Sequence, residues 1–208
     1  MLGLPKATEL SRQLPKKAIY AKFSMNTAAK DRFDADISRI TIVNEVSPAT
    51  VAIAAGEEVK SFYVLLVALK RKDYDERVIG QLSRLIEQNM LFILECGNEA
   101  KLAVYRGKVM STSWSTKEDL SVSLKGLDLD AVWQNIIVQI GDVQIEQGKT
   151  LEEQLVIDEK RAKLLKEMDK LEKLARVEKQ PKKKFEIVAQ ENALKRQLET
   201  LYDTQNNN

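Results

Sequence analysis

The sequence contains no histidine and a single cysteine, Cys96. No Ser-His-Asp triad, no Cys-His dyad and no zinc site of the usual His and Cys kind can be assembled from it. Acid–base chemistry near neutral pH would fall to carboxylates, lysine, tyrosine or the one thiol. A lone cysteine also excludes an intrachain disulfide, and a cytoplasmic location is the default expectation. Cys96 closes an apolar run and reads as a core residue rather than a nucleophile. Long hydrophobic runs are missing as well. The longest, Phe62–Leu69 and residues 90–94, fall far short of the ~20 residues that span a bilayer, so no membrane association is expected. Lys6 and Glu9 stand near the start without an apolar segment, so no signal peptide is expected. Neither G-x-x-x-x-G-K-[ST] nor G-x-G-x-x-G occurs, so no nucleotide-dependent catalysis, no cofactor and no metal is implied.

What is present fits one domain and an appendage. The chain has 208 residues, of which 44% are hydrophobic, enough for a real core, and 31% are charged, above the usual quarter. The net charge of +2 hides an uneven distribution. Residues 1–32 hold seven basic and two acidic side chains, and residues 33–159 hold thirteen and twenty-one. Residues 160–184 hold eleven and four. An acidic body with basic segments at both ends suits nucleic-acid or acidic-partner contact, or simply a solvated helix surface.

Hydrophobic patterning gives the order of elements. Pro5 suits a first helical position, Leu10 and Leu14 share a helical face, and Pro15 would stop that helix. Residues 20–23 then read as a short strand. Asn26 caps a helix to about Ile37, with Ala29, Phe33 and Ile37 at spacing four. A β-branched stretch around Ile40 and Ile42 ends at Ser47-Pro48, and residues 50–53 read as a second short strand. Residues 59–70 are apolar on both faces and predict a central strand. A helix over 73–89, a strand over 90–96 and a hairpin partner over 101–105 follow. Strands over 109–114 and 120–124 are expected next, then a helix over 127–140 that stops at Gly141. Asp128 and Asp130 at its start are explained by capping and the helix dipole.

From Thr150 the pattern changes. Thr150-Leu151-Glu152-Glu153 fits the capping box, in which hydroxyl and carboxylate satisfy orphan amides of the first turn. Ile157, Leu164, Met168, Leu171 and Ala175 follow heptad-like spacings, as do Ile187, Leu194, Leu198 and Leu201 beyond Gln180-Pro181. Two such helices joined at a proline read as a helical hairpin or two coiled-coil segments. Lys182, Lys183 and Lys184 open the second helix, where the macrodipole disfavours positive charge. A phosphate or an acidic partner would offset that.

Glu58-Val59-Lys60 is the strongest catalytic candidate. A Glu-x-Lys at a strand start is half of the PD-(D/E)xK nuclease pattern, in which carboxylates hold Mg²⁺ and the lysine helps orient water. The preceding segment, residues 50–53, lacks the required aspartate, and only Glu57, Asp34, Asp36 or Glu45 could stand in. Lys16-Lys17, Lys70-Arg71-Lys72 and Lys182–Lys184 are the basic clusters. Aromatics are 6% of the chain and few lie near them in sequence, so contacts to DNA would be mainly to phosphates and salt-sensitive.

Ordered patches along the chain resemble one known family. They are Leu4-Pro5-Lys6, Leu14-Pro15-Lys16-Lys17-Ala18-Ile19-Tyr20, Phe33-Asp34-Ala35-Asp36-Ile37, Ile40-Thr41-Ile42, Ser47-Pro48-Ala49-Thr50, residues 58–70, 89–94 and 101–105, and Leu127-Asp128-Leu129-Asp130-Ala131-Val132-Trp133. Together they are similar to the prokaryotic family catalogued as domain of unknown function 4391. The resemblance implies a genomic setting beside restriction–modification and helicase-type defence proteins, and carries no catalytic signature.

The expectation is therefore an α+β domain over residues 1–148, with a mostly antiparallel sheet and packed helices. A helical hairpin or coiled-coil arm over 149–203 and a disordered tail over 204–208 complete it. The expected function is that of a non-enzymatic adaptor. Leu164, Met168, Leu171, Leu194, Leu198 and Leu201 would bind a protein partner or a second copy. Lys16, Lys17, Lys182, Lys183 and Lys184 would meet DNA or an acidic surface. The alternatives are a Mg²⁺-dependent nuclease using Glu58 and Lys60, and a structural homodimer without a nucleic-acid role.

Overall fold

The structure, a computed structural model, describes residues 2–203. The expected disordered tail, residues 204–208, lies outside the described residues. The chain forms two compact units that divide after Asp142.

The first unit is a mixed α/β fold around one sheet ordered β1-β2-β3-β4-β5-β6, with β7 also pairing β5. The strands are β1 (Glu9–Gln13), β2 (Ile37–Val46), β3 (Phe62–Leu69), β4 (Asn89–Cys96), β5 (Glu99–Arg106), β6 (Lys108–Ser111) and β7 (Ser115–Thr116). Only β3 and β4 run parallel; every other neighbouring pair is antiparallel. Helices α1 (Lys16–Lys22), α2 (Thr27–Asp36), α3 (Arg77–Leu82) and α4 (Leu129–Gly141) complete the unit.

Both faces of β3 and β4 are apolar, and both are covered. Leu65, Val67, Met90, Phe92 and Leu94 share a core with Ile19 of α1, Phe33 of α2 and Ile79 and Leu82 of α3. On the opposite face Phe62 packs its ring 5.1 Å from that of Trp133 on α4. Val64, Leu91, Ile93, Leu102 and Val104 are buried there too. Each such side chain contributes roughly 2 kcal/mol by leaving water. The β3–β4 pair is thus the twice-covered centre that parallel pairing requires.

Several local expectations give way to neighbours. Residues 9–13 form an edge strand on β2 rather than a helix, because β2 offers an unpaired ladder that outweighs the Leu10/Leu14 spacing. Pro15 precedes a helix instead of ending one, and residues 16–22 are α1 where a strand at 20–23 was expected. Residues 50–53 make no strand. The Thr50 hydroxyl turns back to donate to Glu45 O at 2.9 Å and accept from the Ser47 amide at 2.9 Å, folding the segment into a turn. The helix expected over 73–89 is only α3. Ser83 Oγ and Arg84 Nε both donate to Gly80 O and satisfy its end, while Leu85 and Ile86 still reach the core. Residues 120–124 contribute a single bridge, Ser121 with Leu2, and β6 ends at Ser111. Helix α4 runs through Gly141 and stops at Asp142, whose φ of 47° is a left-handed conformation that aspartate tolerates.

One buried carboxylate holds a loop in place. Asp36 is 2% exposed; its Oδ1 accepts from Arg71 Nε at 2.6 Å and its Oδ2 from the Asp75 amide at 2.9 Å. It thereby fixes the segment between β3 and α3 against the end of α2.

The second unit contains α5 (Leu151–Val177) and α6 (Pro181–Asp203), packed as a helical pair. The Thr150 capping box forms as the sequence predicts, with both reciprocal hydrogen bonds. Helix α5 is about 40 Å long at 1.5 Å per residue. Arg161 Nη2 donates to Leu201 O at 3.0 Å and ties the far end of α6 back to α5.

Arg71→Ala leaves the buried Asp36 carboxylate without its cation; because Arg71 is itself more than half exposed, the expected cost in urea denaturation is about 1–2 kcal/mol, below that of a fully buried pair. In an Asp36→Asn background the same change is expected to cost well under half as much. Equal costs in the two backgrounds would mean that the pair does not hold this loop.

Candidate functional site

The suspected nuclease pair sits in a loop before β3, not on a strand. Asp130, from the first turn of α4, reaches across and accepts from three successive amides. These are Glu57 N at 2.6 Å, Glu58 N at 3.2 Å and Val59 N at 2.6 Å. The backbone hydrogen bonds, Val59's first, hold its carboxyl below the ordinary aspartate range. Lys60 Nζ donates to Gly56 O at 2.7 Å. A side chain on Gly56 would strike the Asp130 carboxylate, with a Cβ 2.2 Å from Cγ, which is why glycine stands there. The loop is a clasp between sheet and helix, and Lys60 is part of it. Among the described residues no three acidic or cysteine side chains converge as a metal cradle. The nuclease alternative finds no support in this geometry.

Of the N-terminal lysines, Lys16 is engaged internally. Its Nζ lies 2.6 Å from Asp34 Oδ1 and 2.5 Å from Ile37 O, and Tyr20 Oη also donates to Asp34 at 2.6 Å. Those bonds lower the Asp34 pKa, Lys16's being the largest cause. The Tyr20 hydroxyl is pushed up to about 12, first by burial and then by Asp34. Lys17 is exposed.

On the arm, Leu164, Met168 and Leu171 of α5 and Leu194, Leu198 and Leu201 of α6 are all half-buried in the helical pair. The lysine-rich end is different. Lys182, Lys183 and Lys184 are exposed in the first turn of α6, which holds no acidic residue. Lys163, Lys173, Arg176 and Lys195 instead pair with acids one turn earlier, at 2.6 to 2.7 Å. Val177 and Phe185, flanking the connection between the helices, are 71% and 76% exposed.

The first unit also assembles a basic–aromatic cluster that sequence order conceals. Lys101, 9% exposed on β5, places Nζ 5.3 Å from the ring centres of both Tyr74 and Trp114. Its hydrogen-bond partner is Ser111 Oγ at 3.3 Å. Lys72, which pairs with Glu99, lies 5.4 Å from the same Trp114 ring. Tyr74 Oη is buried without a partner among the described residues, and burial pushes that hydroxyl up to about 12. Burial likewise lowers the Lys101 pKa. The available signal was one lysine inside the otherwise apolar Ala100–Val104 stretch; its aromatic partners come from elements that only pairing brings near. Cys96 is half-buried against the core, as read from sequence.

Set against known proteins, the model of one family, described as Domain of unknown function (DUF4391), matches residues 2–198. No curated protein and no solved structure matches. No helix among the described residues is long and apolar enough to cross a membrane.

A lysine whose folded pKa is lowered opposes folding while charged. The cost is present in full below the lowered value and fades as pH rises toward the ordinary 10.5. Lys101→Met is therefore expected to keep or raise the urea midpoint at pH 7 and to flatten the alkaline rise in stability of the parent protein. A midpoint that falls at pH 7 would show that the ammonium–aromatic contacts outweigh desolvation.

Proposed function

The chain belongs to the DUF4391 family, and from that premise we propose that it is a non-enzymatic accessory protein of a DNA-targeting prokaryotic defence system. It acts by presenting its helical arm to a protein partner and to the DNA backbone. One observation carries this reading: the arm half-buries its regular apolar seam between its own helices and leaves lysines and two large apolar side chains exposed where those helices are joined.

The seam residues are then internal supports. Leu164, Met168 and Leu171 on one helix, with Leu194, Leu198 and Leu201 on the other, keep the pair closed. Contact falls to the connecting end. Three lysines in a helical first turn sit against the positive end of the macrodipole, a cost of up to about 1 kcal/mol each at low salt. Phosphates or carboxylates brought against them remove that cost. Val177 and Phe185 beside them give a protein partner apolar area to cover. Lys17 adds a second, separate basic point on the first unit, whereas Lys16 is largely spent on Asp34.

The alternative of a structural homodimer would instead use the half-buried seam, with Val156, Leu165 and Leu174 exposed beside it on α5, as an interface between copies. The setting beside restriction–modification and helicase-type proteins comes from family likeness and supports the DNA-targeting part of the proposal.

Fluorescence anisotropy with a labelled DNA duplex tests the lysine contacts. Binding should weaken steeply with salt, as phosphate contacts do. Lys182→Glu, Lys183→Glu and Lys184→Glu together should weaken it at least about tenfold, equivalent to 1.4 kcal/mol. Leu164→Asp with Leu171→Asp should lower the helical circular dichroism signal, because those changes open the pair itself. Unchanged duplex affinity in the triple-lysine variant would remove the DNA contact from the arm.

A further inference from the structure

The basic runs that stand out in sequence are not the only cationic surface. Helix α3 lies between two adjoining depressions that share Arg77 and Gln81. One is also lined by Arg32 and Asp75, the other by Arg84, Tyr105 and Lys108. The second is an open groove of about 460 Å³. These residues come from α2, α3 and the segments flanking it, the β5 end and the start of β6, so nothing in sequence order groups them.

The cations differ in how far they are committed. Arg77 is spent on Asp75, with Nη2 2.8 Å from Oδ2 and Nε 2.9 Å from Oδ1. Arg84 donates only through Nε, to Gly80 O at 3.0 Å, and its two terminal nitrogens carry no hydrogen bond to a described residue. Its guanidinium lies 5.9 Å from the Tyr105 ring centre. Lys108 is exposed and forms no ion pair with a described residue. Arg32 likewise bonds only through Nε, to Ala28 O at 3.3 Å. The acid lining the groove without a cation of its own is Glu76.

The aromatic element is held in place. A Cβ on Gly80 would stand 2.8 Å from the Tyr105 ring, so glycine is required where the ring meets α3. The ring therefore backs onto the helix and closes one wall of the groove.

We propose that this two-lobed groove binds a single strand of nucleic acid, with phosphates on Arg32, Arg84 and Lys108 and a base against the Tyr105–Arg84 pair. Single strands are bound by a cationic track interleaved with aromatic faces, and stacking tolerates any base. A duplex keeps its base faces stacked inside and would meet only the outer cations. The site is built from residues of the first unit and goes beyond the function proposed for the arm.

The test is anisotropy of a fluorescein-labelled oligothymidylate of ~15 nucleotides, a length that spans a typical single-strand site. With Lys182→Glu, Lys183→Glu and Lys184→Glu in place to silence the arm, the full chain should bind it more tightly than a duplex of equal length. Arg84→Gln with Lys108→Gln should weaken binding at least about tenfold and reduce the salt slope by about 0.7 for each contact removed. Tyr105→Leu should weaken binding without changing that slope, which separates stacking from charge. Lys125→Gln, next to α4 on the other face of the sheet, should change neither. Thermal melts establish that the variants fold; if Tyr105→Leu does not, the Arg84 and Lys108 changes carry the test alone. No binding, equal affinity for the duplex, unchanged affinity in the charge variants, or competition by thymidine monophosphate as effective as by the oligomer would each overturn the proposal.

Discussion

The constraint on which the first unit depends is that β3 and β4 are apolar on both faces and lie parallel. A strand pair of this kind cannot leave either side in water. It needs helices over both faces, and the chain supplies α1, α2 and α3 to one and α4 to the other. The parallel pairing also forces the chain to cross from the end of β3 to the start of β4. That crossing carries Asp36's partner Arg71, then Tyr74, then α3 with Arg77, and Arg84 just beyond it. The buried Asp36 carboxylate is what gives this crossing a fixed path. The basic–aromatic features of the domain are consequences of where that path runs.

The arm solves a different problem. Two helices of mostly charged residues have one apolar stripe each, and packing the stripes together covers both. The seam residues are half-buried between the two helices, and the charge on the surface is what distinguishes one end of the arm. Lys163, Lys173, Arg176 and Lys195 are matched by acids one turn earlier, whereas Lys182, Lys183 and Lys184 stand together in a helical first turn that holds no acid. The unmatched charge sits beside the most exposed apolar residues of the arm, Val177 and Phe185.

How far the sequence could be read follows the range of the forces involved. The Asn26 cap, the Thr150 capping box and the two-faced runs at β3 and β4 depend on residues within a few positions of each other. They were legible, as were α4 and the paired arm helices. The segments that misled, residues 9–13, 16–22, 50–53 and 120–124, have weak local patterns settled by neighbours: an open ladder on β2, a hydroxyl folding back, a bridge to Leu2. Sites were harder still. Asp130 looks like an ordinary first-turn acid, yet it binds amides 71 to 73 residues away and turns the Glu58-x-Lys60 pattern into a clasp. Lys101 and Trp114, or Arg84 and Tyr105, become neighbours only once β5 is placed in the sheet. The single-strand track was invisible because aromatic and basic residues are interleaved in space and not in sequence.

The central claim is that the arm is closed on itself and offers its basic end to DNA or to an acidic partner. Native mass by light scattering, at low and high salt, with and without a short duplex, tests it most directly. The account predicts a monomer that gains the mass of the duplex at low salt and loses it at high salt. A salt-resistant dimer indifferent to the duplex would contradict it, and would return the apolar seam to the role of an interface between copies.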